Sequence, residues 1–460
     1  MQTWATEELS RANFGDERLT KRFMRLVSDL AEKPEASVTE ASGDWAATKG
    51  AYRFWNHEQV TPEAIRAAHR ESTVQRMQKE ATILAIQDTT SLNFQSHPAT
   101  KGLGPIDAKG TSGLLVHSVL ALTAQGVPLG LVHQQVWARD PEQKGKSKKR
   151  KQLPISEKES QRWLDSLQAT QSAVQGGTRI ITIADREADI YDLFALPRAA
   201  NMDLLIRANY DRRVQVDNEE IGKVWDSVEQ TPVQGTVTVH LEHKPGQKAR
   251  DVELTLRYRN LSIMPAVSDP KGLHACHEPI PLTAILVLEE DPADGETPLC
   301  WLLLTTLPVE SFQQAAQCVQ WYRYRWLIER YHFVLKSGCR LEDLQLETAQ
   351  RLERALATYC IVAWRLLWLT YQERQTPEAC CELALQTYEW QALYAFIHHT
   401  PAVAVTPPSL CEAMHWIAQL GGFLARKSDG EPGLQTIWRG LRRLDDLSSM
   451  WLLLHLSQQV

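Results

Sequence analysis

The sequence predicts a mixed α/β sheet domain placed between two helical regions. Apolar residues recur at helical spacing through the first 71 or so residues, short runs rich in Ile, Val and Leu follow between about 82 and 306, and helical patterns return from Ser311 onward. At ~150 residues per domain, a chain of 460 residues has room for about three domains. Hydrophobic residues make up 43% and charged residues 23%, which excludes a disordered or collagen-like chain.

The N-terminal region reads as helical. Residues 8–30 carry apolar positions at helical spacing, and Thr61-Pro62-Glu63 is a typical helix start because Pro is favoured at the first helical position. No strand-like run interrupts residues 1–71, so we predict a helical domain there.

Five strand-like runs and two helical stretches then alternate. The helical stretches cover 157–174 and 187–196, which gives the order β-β-β-α-β-α-β and predicts a mixed sheet. Alternating segments with turn-rich links between about 210 and 306 predict a β insertion in that domain. The candidate strands are 82–87, 114–123, 129–137, 179–184 and 202–207.

The C-terminal part is predicted to be helical again. Helical patterns cover 311–336 and 348–371, and a tail broken at Pro401, Pro407-Pro408 and Pro432 predicts a separate helical unit.

Charge and cysteine content narrow the function class. Fifty Lys and Arg against 56 Asp and Glu give a net charge of −6, so DNA binding would depend on local basic patches rather than on an overall positive charge. One candidate patch is the run 144–151, for which a solvated loop is the favoured interpretation. Eight cysteines without a CxxC pair argue against a disulfide framework or zinc ribbon, and the 274–277 His-Ala-Cys-His stretch is interpreted as a surface loop.

Residues 1–25 lack an apolar signal segment and no apolar run approaches ~18 residues, so we expect a cytoplasmic protein.

Two aspartates follow strand-like runs. Asp88 follows 82–87, and Asp185 follows 179–184 at the start of a helix. Each has an ordinary explanation, a turn aspartate for Asp88 and a helix N-cap for Asp185. However, ligand sites of open α/β sheets lie beyond the carboxyl ends of the strands, and two carboxylates brought together there favour a hard divalent cation.

A third acidic residue lies in the helical pattern 322–336. At ~100° per residue, Tyr322, Arg325, Glu329 and Lys336 fall within a ~60° arc of one helix, while apolar residues occupy the opposite face. The alternative is a solvated polar face.

These residues match the pattern Y-x2-R-x3-E-x6-K without a departure in spacing. The chain thereby resembles the DDE transposases of bacterial insertion sequences, and within them it looks closest to those of the transposon-five type. Further matching segments extend over most of the chain, at 50–54, 88–92, 116–120, 185–190, 301–305 and 420–423.

The resemblance implies an RNase H-like fold with a metal site formed by Asp88, Asp185 and Glu329. Such a site would hold two Mg²⁺ ions, with Mn²⁺ as a substitute, at ~3.5 to 4 Å from each other. The residues that would contact DNA are Tyr322, Arg325, Lys336, Trp301 and Arg207. Trp301 would receive a flipped base, or would be an ordinary tryptophan of a β core. For Arg207, the basic residue that the family carries two positions later is Asn209 here.

The resemblance also implies the domains and partners. Residues 1–71 would bind the transposon end, residues 72–370 would form the catalytic domain, and residues 371–460 would form a dimer. The partners would be double-stranded DNA of transposon ends and target and a second copy of the chain, at the bacterial nucleoid. The implied activity is strand nicking, hairpin formation, hairpin opening and insertion. Two alternatives stay open: a nuclease of the same fold that does not join DNA, and a non-catalytic end-binding repressor.

Overall fold

The computed structural model describes residues 4–143, 153–174, 176–217, 219–241, 250–265, 278–292, 296, 298–401, 405–426 and 429–456. The basic run 144–151 and the stretch 274–277 lie outside the described residues. Among the described helices, none is both long enough and apolar enough to cross a membrane.

Helices alone form the N-terminal region, as predicted from its apolar spacing. The helix expected over 8–30 is interrupted, because Gly15 takes a positive φ of 75° and the side chain of Asp16 then accepts a hydrogen bond that starts a new helix. Thr61 caps the fifth helix in the same way, with Pro62 at its first position. The helices are α1 (Trp4–Glu8), α2 (Glu17–Glu32), α3 (Val38–Ser42), α4 (Trp45–Asn56) and α5 (Pro62–Met77).

One mixed sheet forms the centre of the molecule. Its strands are β1 (Thr82–Asn93), β2 (Gly104–Pro105), β3 (Ser112–Thr123), β4 (Pro128–Trp137), β5 (Arg179–Ala184), β6 (Met202–Arg207), β7 (Arg213–Val216), β8 (Glu219–Lys223), β9 (Gly235–Leu241), β10 (Arg250–Ile263), β11 (Ile280–Leu288) and β12 (Cys300–Thr305). The order is β2-β3-β1-β5-β6-β12-β11-β10-β7-β8, with β4 on β3 and β9 on β10. Only the β1–β5 and β5–β6 pairs are parallel among the described ladders.

The β insertion predicted for about 210–306 is not a separate sheet. Its last strand, β12, returns beside β6 with Leu303 opposite Arg207, and β11, β10, β7 and β8 extend the same sheet outward. The insertion therefore shares a core with the parallel strands, which places Trp301 on β12 close to the end of β6.

Helices cover the central strands, which explains why those strands are apolar on both faces. They are α6 (Gln161–Ala173), α7 (Tyr191–Ala195), α8 (Val224–Glu229), α9 (Phe312–Arg323), α10 (Trp326–Phe333) and α11 (Ala349–Gln375). The long helix α11 joins three parts of the molecule. Its Thr358 hydroxyl accepts from Trp55 of α4 at 3.1 Å, and its Trp364 indole donates to the Pro128 carbonyl of β4 at 3.0 Å.

The prediction of one unbroken helix from Tyr322 to Lys336 is wrong. Helix α9 ends at Arg323, and α10 begins at Trp326 and runs into a π-helical turn over Val334–Gly338. At the junction, the Tyr324 and Arg325 amides donate to carbonyls three residues earlier, which is the tighter 3₁₀ pattern. The helix is therefore interrupted between Tyr322 and Glu329, although both side chains still lie close to Arg325.

The C-terminal helices are α12 (Thr387–Ile397), α13 (Leu410–Leu420) and α14 (Leu434–Leu456). They enclose a small core of their own, in which Trp390, Leu393, Met414 and Ile417 are buried. An ion pair between Lys33 and Asp445, at 2.9 Å, joins this unit to α2.

Candidate active site and DNA interface

The register of two parallel strands brings Asp88 and Asp185 together. The β1–β5 ladder ends at the pair Ile86–Ile183, and Asp88 and Asp185 each follow two residues later, close enough for the charge of Asp185 to act on Asp88. Neighbouring strands lie ~4.8 Å apart, which is within the reach of two aspartate side chains. The expectation that the strand ends at Asp88 is wrong, since β1 continues along β3 to Asn93. Asp88 nevertheless lies just beyond the carboxyl end of the parallel ladder.

Asp185 is a helix cap, as its ordinary explanation predicted. Its Oδ1 accepts from the Glu187 amide at 2.9 Å and starts a short 3₁₀ turn. Asp189 anchors the loop that follows β5. It is buried, accepts a hydrogen bond from the Asn209 amide at 2.7 Å, and forms an ion pair with Arg212 at 2.6 Å. This pairing holds the loop after β5 against the loop after β6 and so limits the movement of Asp185.

Glu329 lies on α10, and the side chain of Arg325 connects it to Asp88. The Arg325 guanidinium donates a hydrogen bond to Glu329, and its Nη1 lies 4.0 Å from Oδ2 of Asp88. The three carboxylates do not all have oxygens within 4.8 Å of one another, because the guanidinium lies between Asp88 and Glu329. Asp88 thus lies near both other acids, since the charges of Asp185 and Glu329 act on it, while Arg325 contacts Asp88 and Glu329.

Charge in this pocket changes the protonation of Asp88. Burial, followed by the negative charge of Asp185, raises the pKa of Asp88 to about 7, and the Thr89 amide and Arg325 only partly oppose this rise. A carboxyl that is part-protonated near neutral pH is stabilised as the anion by any further positive charge. All three side chains offer hard oxygen atoms, which suits Mg²⁺ or Mn²⁺. The donor set therefore fits the divalent ions that the sequence predicted.

Lys336 lies on the π-helical turn beside the same pocket. Burial lowers its pKa, while the charges of Glu342 and Asp88 raise it. Within the described residues it makes no ion pair shorter than 4.0 Å, so its ammonium group remains available to an anion.

The other residues predicted to contact DNA line one cleft of ≈ 390 Å³ next to Arg325. Trp301 and Tyr322 face each other edge to face, with ring centroids 5.3 Å apart. Arg207 holds the Cys300 carbonyl at 3.0 Å. Tyr322 is only 3% exposed and lies close to Arg325 and Arg207, whereas Trp301 is half-buried and borders the opening.

Sequence reasoning missed Arg162. From α6, its Nε donates to the Thr89 hydroxyl at 2.9 Å and its Nη2 pairs with Glu187 at 2.7 Å, which joins the segment after Asp88 to the turn after Asp185. It also borders a second cleft, of ≈ 690 Å³, that Arg186, Lys158 and Lys223 line with further positive charge. No motif marks Arg162; only a basic residue next to a tryptophan in a helical stretch could have indicated it.

Comparisons with protein families match three parts of the chain. Residues 1–60 match a model described as transposase DNA-binding, residues 143–365 match a transposase DDE domain, and residues 361–448 match a transposase Tn5 dimerisation domain. Asp185 and Glu329 lie inside the DDE match, and Asp88 lies before it. The order of the three matches follows the order of the helical region, the sheet and the C-terminal helices.

Proposed function

This chain belongs to the Tn5-type DDE transposases, and on that premise we propose that Asp88, Asp185 and Glu329 hold the divalent metal ions of a cut-and-paste reaction. As a member of the family it binds DNA and forms a homodimer. The observation that carries the proposal is the closeness of the three carboxylates: the negative charges of Asp185 and Glu329 both act on Asp88, and Arg325 contacts Asp88 and Glu329.

We infer that the site takes two Mg²⁺ ions. When bound, they would activate the attacking water or 3′-hydroxyl and stabilise the leaving oxygen. The protein's part is to supply oxygen ligands and a shaped pocket. Asp185 is held by its cap hydrogen bond and by the loop that Asp189 anchors, and Asp88 is held by the sheet.

Arg325 is the residue expected to change partners. While it pairs with Glu329 it neutralises part of the acidic pocket, and a bound cation would take over that role. Its guanidinium would then be available to a DNA phosphate, for which Arg offers paired donors. Lys336 would supply a second phosphate contact from the π-helical turn.

Trp301 is proposed to stack on a base during hairpin formation. It borders the cleft beside Arg325 with one ring edge against Tyr322, so a base entering the cleft would meet an aromatic surface. Stacking on an aromatic side chain contributes ~1–3 kcal/mol per base, which offsets part of the cost of flipping. Arg207 would bind a phosphate at the same edge.

The domain roles follow the predicted boundaries. We propose that residues 1–71 recognise the transposon end, that residues 72–370 catalyse the reaction, and that residues 371–460 form the dimer. On α14 the side chains of Met450, Leu453 and Leu454 are 56%, 69% and 56% exposed, an apolar surface that a second copy could cover. The dimer would bring two ends to one target, in the DNA of the bacterial nucleoid.

Four successive reactions are proposed at this one site: nicking to a 3′-hydroxyl, attack on the opposite strand to close a hairpin, hairpin opening, and insertion. Each is an attack on phosphorus in which the nucleophile and the leaving group exchange roles, so one set of ligands suffices.

The test uses DNA from both sides of the gene, Mg²⁺ and a supercoiled plasmid. Wild-type protein should cut the flanking repeats and join them to the plasmid. Cleavage without joined product would favour the nuclease alternative, and binding without cleavage would favour the repressor.

The same assay tests the ligands. Asp88→Asn, Asp185→Asn and Glu329→Ala should each abolish cleavage while a gel shift still shows end binding. Glu347→Ala, at a glutamate that is 80% exposed and forms a surface pair with Arg351, serves as the control. A triad variant that cut at the parental rate would remove that residue from the site.

A further inference from the structure

A second group of metal-ligating side chains lies in the C-terminal unit, away from the acidic pocket. Glu373 near the end of α11 and Cys411 and His415 on α13 place one ligand atom each within 4.8 Å of one another. Glu431, on the loop before α14, has Oε2 3.7 Å from Nε2 of His415. Among the described residues, the first three form the one group of side chains that meets this spacing.

We propose that Glu373, Cys411, His415 and Glu431 bind a structural Zn²⁺ ion that fastens the C-terminal helices together. Zinc is bound by sulfur at ≈ 2.3 Å and by nitrogen or carboxylate oxygen at ≈ 2.0–2.2 Å, in tetrahedral sites. Ligand atoms of such a tetrahedron lie ~3.3–3.8 Å apart, so side-chain rotations alone can close this group around an ion. A thiolate and an imidazole select zinc over magnesium.

The backbone around this group is already fixed. Cys411 and His415 are four residues apart on α13, so their side chains share one face of the helix. The Cys411 amide donates to the Pro377 carbonyl at 3.0 Å, and the Leu410 amide donates to the Ala379 carbonyl at 2.6 Å. These bonds hold the start of α13 against the turn that follows Glu373, so the ligands need not be gathered from separate mobile segments.

His415 has the hydrogen bond that metal-binding histidines usually have. Its Nδ1 lies 2.9 Å from the Cys411 carbonyl oxygen, to which a protonated Nδ1 donates. Nε2 then carries the lone pair and faces Glu431, whereas Cys411 Sγ lies 3.5 Å from Nδ1, so the Cys411 side chain has to rotate toward Nε2 for both to bind one ion. Histidine ligands of zinc commonly donate their second N–H to a backbone carbonyl in this way, which fixes the ring and its tautomer.

Glu373 supplies the independent reason to expect a cation. Its side chain is buried, with 4% exposed, and the groups that act on it are the carboxylate of Glu431, the Cys411 thiol, which donates a hydrogen bond to it, His415 and the more distant charge of Arg374. In the part of the chain that the structure describes, no Lys or Arg forms an ion pair with it within 4.0 Å. Burying a carboxylate without a positive partner is costly, and a bound Zn²⁺ would remove that cost.

An ion here would fix the end of the helix that leads from the catalytic region into the dimerisation region. Helix α11 runs from the DDE match into the dimerisation match, and Glu373 lies two residues before its end. The proposed ligands would tie this end to α13 and to the loop that leads into α14. The proposal rests on the folded C-terminal unit and is independent of the transposition steps.

Cobalt substitution tests the site in the full-length protein. A chain stripped with chelator should bind Co²⁺ with a thiolate-to-metal charge-transfer absorption in the near ultraviolet, and Zn²⁺ should displace it. Neither of the aspartates nor Glu329 can give that absorption, so the signal separates this site from the acidic pocket. Cys411→Ser should abolish the absorption, and His415→Gln should weaken Co²⁺ binding at least about tenfold.

Cys380→Ser is the matched control, because Cys380 is exposed and pairs with Ser409, two residues before Cys411, but lies outside the group. It should keep the absorption. If Cys411→Ser does not fold by circular dichroism, Glu431→Gln replaces it, since that side chain is 58% exposed and its loss should lower Co²⁺ affinity without unfolding the chain. Wild-type protein that lacks the thiolate absorption, or an absorption that survives in Cys411→Ser, would show that these side chains are held by hydrogen bonds alone.

Discussion

Arg325 should act as the positive charge of the acidic pocket whenever no metal ion is bound. Replacing it by Gln removes the guanidinium that pairs with Glu329 and lies 4.0 Å from Asp88. We therefore expect the metal-free variant to be less stable than wild type and to gain more from Mg²⁺. Both effects have one cause, because the ion and the guanidinium neutralise the same carboxylates.

The size of the effect follows from the distances. Two unit charges 4.0 Å apart interact by ~4 kcal/mol at an effective dielectric constant of ~20. The side chains of Arg325, Asp88 and Glu329 are 19%, 18% and 32% exposed, so desolvation and screening reduce the net contribution to ~1–3 kcal/mol. This corresponds to a melting temperature lower by several degrees. The affinity for Mg²⁺ should rise about tenfold for each ~1.4 kcal/mol of Arg325–carboxylate interaction that no longer opposes metal binding.

The assay is thermal unfolding during a Mg²⁺ titration without DNA. Arg323→Gln is the control, since that neighbouring arginine bonds Gln320 and none of the three acids. An Arg325→Gln protein that melts at the wild-type temperature without Mg²⁺, and that reaches half-saturation at the wild-type Mg²⁺ concentration, would refute this role of Arg325.

Three further predictions concern pH, base stacking and phosphate contacts. Burial and the charge of Asp445 raise the pKa of Glu32 from 4.5 to about 8, so folded protein keeps a proton that the unfolded chain loses, and stability must fall as pH rises through this interval. Glu32→Gln should melt like wild type near pH 5 and several degrees higher at pH 8, whereas an equal difference at both values would contradict the shift. Trp301→Ala should lower the hairpin yield on denaturing gels but spare the first nick, with Trp301→Phe close to wild type; an unchanged yield would make Trp301 a core residue. Lys336→Ala should reduce by about 1 the slope of log binding constant against log salt, and a parental slope would exclude the phosphate contact.

Much of the fold could be predicted because its signals are local. Five of the strands have apolar runs long enough to identify, and the β5 and β6 bounds agree with the sequence pattern. Pairing partners could not be predicted in the same way. Strand β12 pairs antiparallel with β6, which lies about a hundred residues earlier in the chain. This pairing depends on which sheet edges are free and on how the strands pack, and a short stretch of sequence contains neither.

The candidate site was predictable in composition but not in detail. Asp88 and Asp185 follow apolar strand runs, and ligand sites of open α/β sheets lie beyond the carboxyl ends of the strands, so the two residues were expected to lie together. The i→i+3 turn at Tyr324 and Arg325 left no sign in the apolar spacing, and one unbroken helix was therefore predicted where the structure has two. Arg162 and Glu373 escaped notice for a different reason. Their partners lie on other elements, and neither residue belongs to a sequence motif.

The most direct test of the account is anomalous diffraction from Mn²⁺ in crystals of the protein bound to a DNA end. We predict Mn²⁺ peaks among the carboxylates of Asp88, Asp185 and Glu329, with the Arg325 guanidinium withdrawn from Glu329. Mn²⁺ bound elsewhere, with these three carboxylates turned away from one another around an empty pocket, would contradict the claim that they form the catalytic metal site.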